Sequence, residues 1–175
     1  MKYGMIFCII FSGISMIMDV KWEKVYNSWI ASGFLCSVLN CLACSQQTEI
    51  IKQIFGMMIP IAVLFPLFLG KMLGTGDIKV FAVLGSMMGA GWILVCMAWS
   101  FIIGAVIAVP VLLLRCNAKE RFAYFFTYLN HVLITKTFPP YLAPGKHPEN
   151  IHFTIPIFCS VLLLSVKGAS CIIQI

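Results

Sequence analysis

Long apolar runs separated by short polar connections are the feature that most constrains the fold of this 175-residue chain. Apolar and aromatic residues make up 61% of the sequence, whereas charged residues make up only 10%. A soluble domain is nearer half apolar and a quarter charged. Six runs follow one another, at residues 3–18, 28–44, 50–69, 78–88, 92–114 and 151–166. The sequence therefore predicts an all-α, polytopic membrane helix bundle with about six transmembrane helices.

The first apolar run, residues 3–18, is short and follows Lys2, a pattern that also fits a secretory signal peptide. However, no A-x-A-like cleavage site precedes Asp19, and the next apolar run begins soon afterwards. We therefore interpret residues 3–18 as the first helix of the bundle. The length leaves no room for a separate soluble domain beside such a bundle, so we expect residues 1–175 to form a single integral-membrane domain.

The apolar stretch from residue 78 to residue 114 contains Gly89 and Gly91. As one continuous helix it would be about 55 Å long, nearly twice the thickness of the hydrocarbon core. We therefore predict a turn near these glycines, with a short fourth helix before it and a long fifth helix after it. Residues 122–134 mix aromatic and polar side chains and are predicted to form an interfacial amphipathic helix. The Pro-rich residues 136–150 are predicted to form a loop.

The net charge of +6 does not indicate a nucleic-acid partner, because the twelve Lys and Arg residues form no dense run. Alternating the predicted helices across a bilayer sorts these residues into two groups. One side receives nine of them: Lys21, Lys24, Lys71, Lys79, Arg115, Lys119, Arg121, Lys136 and Lys146. The other side receives three: Lys2, Lys52 and Lys167. The positive-inside rule makes the first side cytoplasmic, and we expect the bilayer itself to be the main environment of the chain.

Asp19 and Asp77 are the only aspartates of the chain, and the same alternation places both near the cytoplasmic face. Asp77 follows a glycine-rich stretch between two apolar runs, where an ionisable side chain is costly and usually functional. Two neighbouring carboxylates cannot both ionise easily, so one holds a proton while the other stays charged. Such a pair can act as a general base toward water and as a general acid toward a carbonyl group.

Three other interpretations of the two aspartates are open on spacing and topology alone. The carboxylates could be ordinary helix-end residues exposed to water and headgroups, with Asp77 as an N-cap or first-turn acid. They could form the intramembrane ion site of a small ion or proton transporter or channel subunit. The chain could also be a noncatalytic membrane scaffold in which neither carboxylate matters.

Residues 74–79 read Gly-Thr-Gly-Asp-Ile-Lys and are followed by apolar residues and a glycine. This stretch resembles the GxGD motif of type IV prepilin peptidases, which are integral-membrane aspartyl proteases. Asp19 lies where that family has its first catalytic aspartate, at the end of the first helix before a basic loop. Asn27 lies where the family usually ends a Pro-Asn pair, although Tyr26 replaces the proline here. The resemblance covers roughly residues 1–115.

The resemblance implies a membrane aspartyl endopeptidase with Asp19 and Asp77 as catalytic residues. Its expected substrate is a prepilin-like precursor of the Flp type, from which it would remove the basic leader at the cytoplasmic face of the inner membrane. The sequence leaves the oligomeric state open. The residues that we expect to contact the substrate lie around the two aspartates and are Gly74, Gly76, Lys79, Glu23 and Asn27.

We expect no metal and no other cofactor. Larger members of the family carry an insertion with two C-x-x-C pairs that bind zinc, whereas this chain has one such pair, Cys41 and Cys44, inside an apolar run. His131, His147 and His152 cluster near the last loop, and no acidic or cysteine residue shares their spacing. We interpret these histidines as solvated loop residues rather than ligands.

Overall fold

The computed structural model describes residues 2–44, 47–70, 73–115, 127 and 152–166. The predicted all-α class is confirmed, since these residues form helices and connections and no strand. The interfacial helix expected at residues 122–134 and the loop expected at residues 136–150 lie outside the described residues, apart from Thr127. The described helices are α1 (Lys2–Trp22), α2 (Asn27–Cys44), α3 (Gln47–Leu69), α4 (Thr75–Met88), α5 (Ala90–Arg115) and α6 (Thr154–Val166).

Three of the helices described here are long and apolar enough to cross a membrane, over Gly4–Trp22, Ile50–Leu69 and Ala90–Ala108. Helices α4 and α6 are shorter, with 14 and 13 residues. Many large apolar side chains on the outside of the bundle are exposed, among them Leu35 and Phe55. A continuous apolar exterior of this kind is what lipid covers in an integral membrane protein.

Among the helix ends that differ from the sequence prediction, two concern the aspartates. Helix α1 continues to Trp22, so Asp19 lies in its last turn. Helix α4 begins at Thr75 rather than at residue 78, so Asp77 lies in its first turn, where the helix dipole favours a carboxylate. The predicted break before α5 is present at Gly89, whose φ of 86° is a conformation that glycine adopts without strain.

Helix α4 is the centre of the bundle. It contacts α1, α2, α3 and α5. A helix buried on all sides has apolar side chains all round, unlike an amphipathic surface helix. Because α4 is held by four neighbours, its first turn is a fixed support for Asp77. The consecutive buried residues of α4 are Val80, Phe81, Ala82, Val83, Leu84, Gly85 and Ser86.

Helices α3 and α4 approach each other backbone to backbone at Gly56 and Gly85. A Cβ atom built on either glycine would collide with the carbonyl oxygen of the other. Small residues at helix contacts permit such close approach in membrane proteins, where packing rather than the hydrophobic effect drives helix association. The position of α4 relative to α3 therefore depends on this glycine pair.

Helix α6 is held between α1 and α5. Ser100 of α5 and Ser160 of α6 share a buried hydrogen bond of 2.7 Å between their hydroxyl oxygens. On the other side, the ring of Phe158 lies 3.2 Å from the position that a Cβ on Gly13 of α1 would take. These contacts fix the start of α6 at the end of the bundle where α1 finishes.

We predict that Gly85→Ala destabilises the protein by about 1–3 kcal/mol, because the added methyl group forces α3 and α4 apart. Gly56→Ala should have a similar effect. Gly91→Ala is the matched control, since a Cβ at Gly91 would meet no atom of the described residues within 4 Å. Thermal unfolding in detergent measures the stability of each variant. A Gly85→Ala protein that unfolds at the same temperature as the wild type would contradict this account of the α3–α4 contact.

Candidate active site

Asp19 and Asp77 line one cavity of about 300 Å³ at the end of the bundle where α1 finishes and α4 begins. The structure brings together in this cavity every residue that the sequence analysis singled out as catalytic or substrate-binding. Its lining residues are Asp19, Glu23, Lys24, Val25, Asn27, Gly74, Thr75, Gly76, Asp77 and Lys79.

The carboxyl group of Asp77 is turned back over the glycine that precedes α4. Gly74 is the N-cap of the helix in extended conformation, and a Cβ there would lie 3.2 Å from Asp77 Oδ2. A larger residue at this position would therefore crowd the carboxyl group. Because Gly74 has no side chain, its backbone N–H can approach the Asp77 carboxyl group, to which it donates a hydrogen bond.

Asp77 lies outside the three apolar spans, and its pKa is raised from 3.8 to about 7. The largest cause is burial, which removes water from the charged form, and the second is the negative charge of Asp19. The hydrogen bond from Gly74 and the nearby His152 act in the opposite direction and lower the pKa. Asp77 is therefore mostly protonated below about pH 7 and loses its proton as the pH rises through that value.

Asp19 has two polar partners on α6 and on the residues that precede it. The hydroxyl group of Thr154 donates a hydrogen bond of 2.8 Å to Asp19 Oδ2. The Nδ1 atom of His152 lies 3.2 Å from the same oxygen. The two carboxyl groups thus differ in their surroundings. Asp19 contacts side chains, whereas Asp77 is buried and accepts a hydrogen bond from the backbone.

The connection from α1 to α2 forms the other wall of the cavity. The backbone N–H of Glu23 donates to the carbonyl oxygen of Asp19 at 2.8 Å, and Glu23 has a φ of 50°, which ends the helix. Lys79 of α4 donates from Nζ to Asn27 Oδ1 at 2.8 Å. This bond ties the start of α2 to α4 beside Asp77.

The start of α2 is also anchored inside the bundle. The ring of Trp29 stacks on Phe11 of α1, with 5.3 Å between ring centroids. Its Nε1 atom donates a hydrogen bond of 3.0 Å to Ser15 Oγ, also on α1. These contacts hold the start of α2 against α1 and so fix the wall of the cavity that the α1–α2 connection forms.

A family model described as the type IV leader peptidase family matches residues 6–109. The match covers more than half of the chain and includes every residue that lines the cavity. The chain belongs to the type IV leader peptidase family. The family resemblance of the sequence is thereby confirmed. No curated protein and no solved structure gives a significant match.

The described residues of this leader peptidase family member offer no metal site. Among them, no group of three or more His, Cys, Asp or Glu side chains could hold a metal ion. Cys41 and Cys44 lie at the end of α2 opposite to Asn27, and therefore far from the cavity. His131 and His147 lie outside the described residues.

The expectation that the histidines are solvated loop residues is wrong for His152, whose side chain contacts Asp19. Thr154 was not singled out from the sequence at all. One signal was present: helix alternation places the start of the last apolar run on the same face as Asp19. A polar residue at that point can reach the carboxylate, whereas one at the end of the run cannot.

Proposed function

We propose that this chain is an aspartic-type endopeptidase that removes the basic leader from a prepilin-like precursor of the Flp type. The observation that carries the proposal is the placement of both carboxyl groups in one cavity of a type IV leader peptidase. The catalytic residues are Asp19 and Asp77, in a single domain of residues 1–175. The cleavage site is at the cytoplasmic face of the inner membrane, as the distribution of Lys and Arg favours.

The proposed reaction is hydrolysis of one peptide bond by the carboxyl pair. The ionised carboxylate takes a proton from a water molecule, whose oxygen forms a bond to the carbonyl carbon. The protonated carboxyl group donates a hydrogen bond to the carbonyl oxygen as negative charge develops there. The C–N bond then breaks, and the leaving nitrogen takes a proton from the pair. The products are the leader with a new carboxylate and the mature protein with a new amino terminus.

The glycines beside Asp77 have different parts in the proposal. A Cβ on Gly74 would crowd the Asp77 carboxyl group, so this glycine serves the catalytic residue itself. A Cβ on Gly76 would meet only Val25, at an ordinary 3.6 Å, so the protein alone does not require glycine there. We assign the space at Gly76 to the backbone of the substrate, which must approach Asp77 closely.

Charged residues at the rim of the cavity would orient the leader. Lys79 is held by Asn27, and the two form a fixed polar edge that can contact the peptide backbone. Glu23 is exposed and lines the same cavity, so its carboxylate can attract a basic leader. The family match favours this peptidase over the ion-site alternative, which uses the same carboxylates without a peptide substrate.

We predict that Asp19→Asn and Asp77→Asn each lower the cleavage rate of a co-expressed Flp-type prepilin by about 1,000-fold or more. Asparagine keeps the size of the side chain but removes the titrating acid. The measurement is the cleaved fraction of the precursor, with expression and membrane insertion of every variant checked. Glu49→Gln is the matched control, because α3 begins at the opposite end of the bundle, and it should cleave normally.

Full processing by either aspartate variant would contradict the proposed mechanism. Ion-flux measurements on the same variants would then test the ion-site alternative. Normal processing by Glu49→Gln excludes a general effect of removing one negative charge.

We predict that Glu23→Gln raises the KM for a basic leader by up to about fivefold and leaves kcat unchanged, because an exposed ion pair contributes at most about 1 kcal/mol. The control is a precursor whose leader Lys and Arg residues are replaced by Gln. With that precursor, wild type and Glu23→Gln should have the same KM. An equal rise for both precursors would show that Glu23 does not recognise charge.

A further inference from the structure

Two polar side chains at or just before the start of α6 contact Asp19 and have no part in the proposed reaction. Thr154 is only 1% exposed, and its hydroxyl group lies 2.8 Å from Asp19 Oδ2. The His152 side chain is 23% exposed, and its Nδ1 atom lies 3.2 Å from the same oxygen. Both residues lie beyond residues 6–109, which the family model matches.

The two contacts converge on one oxygen of the carboxylate. Thr154 donates its hydroxyl hydrogen to the carboxylate, and His152 donates from Nδ1 in the tautomer that carries a hydrogen there. Donors aimed at a carboxylate favour its charged form over its protonated form. With Oδ2 occupied, Oδ1 of Asp19 is the oxygen left to take a proton from water.

The support for these donors is rigid. Ile157, Val161 and Leu164 of α6 are buried in the core. The ring of Phe153 packs against Phe101 of α5, with 5.2 Å between ring centroids. Donors on such a support keep their positions while the reaction proceeds, which is the condition for electrostatic preorganisation.

We propose that Thr154 and His152 are positioning residues that hold Oδ2 of Asp19 and leave Oδ1 for the attacking water, so that Asp19 is the general base and Asp77 the general acid. The inference rests on the proposed function and assigns the two roles that it leaves open. Asp19 Oδ1 takes a proton from water as the water oxygen bonds to the carbonyl carbon. Asp77 gives its proton to the carbonyl oxygen. When the C–N bond breaks, the proton on Asp19 passes to the leaving nitrogen, and the carbonyl oxygen returns its proton to Asp77.

Other charged groups lie around Asp19. Asp77 and Lys79 of α4 line the same cavity, as do Glu23 and Lys24, which follow α1. These groups are the same in every variant proposed below, so a change in pH dependence reports on the two donors alone.

The test compares the pH profile of kcat for purified wild type and variants between about pH 3 and about pH 9. The substrate is a purified precursor with a basic leader followed by an apolar helix. Thr154→Val and His152→Leu each remove a donor. Each should lower kcat about 10-fold and move the acidic limb of the profile upward by about one pH unit. For Thr154→Val the basic limb, which reports Asp77, should stay in place, whereas His152→Leu should also move it upward, because His152 lowers the pKa of Asp77.

Conservative variants distinguish a role of these residues in positioning Asp19 from a general role in folding. Thr154→Ser keeps the hydroxyl group, and His152→Asn places an amide nitrogen close to the position of Nδ1. Thr154→Ser should restore the whole wild-type profile, and His152→Asn should restore its acidic limb. Ser165→Ala is the control on the same helix, since the hydroxyl group of Ser165 is exposed and bonds only the local carbonyl oxygen of Leu162 among the described contacts.

If the pH profiles of the variants kept both limbs at the wild-type positions, the inference would be overturned. Thr154 and His152 would then have only a structural role. A shift of the basic limb instead of the acidic limb in Thr154→Val would reverse the assigned roles. His152 is partly exposed and tolerates replacement, so its variants decide the matter if Thr154→Val does not fold. If the wild type cleaves, the aspartate variants do not, and the limbs are unchanged, then the proposed function stands and only this inference fails.

Discussion

The site depends on a carboxyl group held at the head of a helix that is buried on every side. Helix α4 is fixed by four neighbours and by the backbone contact of Gly85 with Gly56, so Asp77 cannot move far toward water. Burial and the charge of Asp19 raise the pKa of Asp77 to about 7. The same packing that stabilises the bundle therefore lets this acid keep its proton up to about pH 7.

Much of the fold and of the candidate site could be predicted from the sequence. Long apolar runs specify membrane helices because the bilayer leaves few other structures, and the all-α class was confirmed. Asp19 and Asp77 were singled out because carboxylates are rare beside apolar runs. Topology alone indicated that the two aspartates lie on one face. The structure places both in one cavity, and the match to the leader peptidase family confirms the resemblance that the residues around Asp77 carry.

The parts that could not be predicted depend on tertiary contacts. His152 reads as a solvated loop residue until the packing of α6 against α1 places it beside Asp19. Thr154 carries no chemical signal in the sequence, because a threonine at the start of an apolar helix is ordinary. The helix ends at Trp22 and Thr75 also differ from the apolar boundaries, since polar residues can continue a helix where its neighbours and its dipole support them.

The central claim is that the pair holds one proton and that Asp77 carries it. Infrared spectroscopy of the purified protein tests this claim directly, because the C=O stretch of a protonated carboxyl group is distinct from that of a carboxylate. We predict a protonated-carboxyl band at about pH 6 that disappears as the pH rises through about 7. The band should be absent in Asp77→Asn, and in Asp19→Asn it should persist but be lost at a lower pH. A band that survives in Asp77→Asn and vanishes in Asp19→Asn would contradict the account.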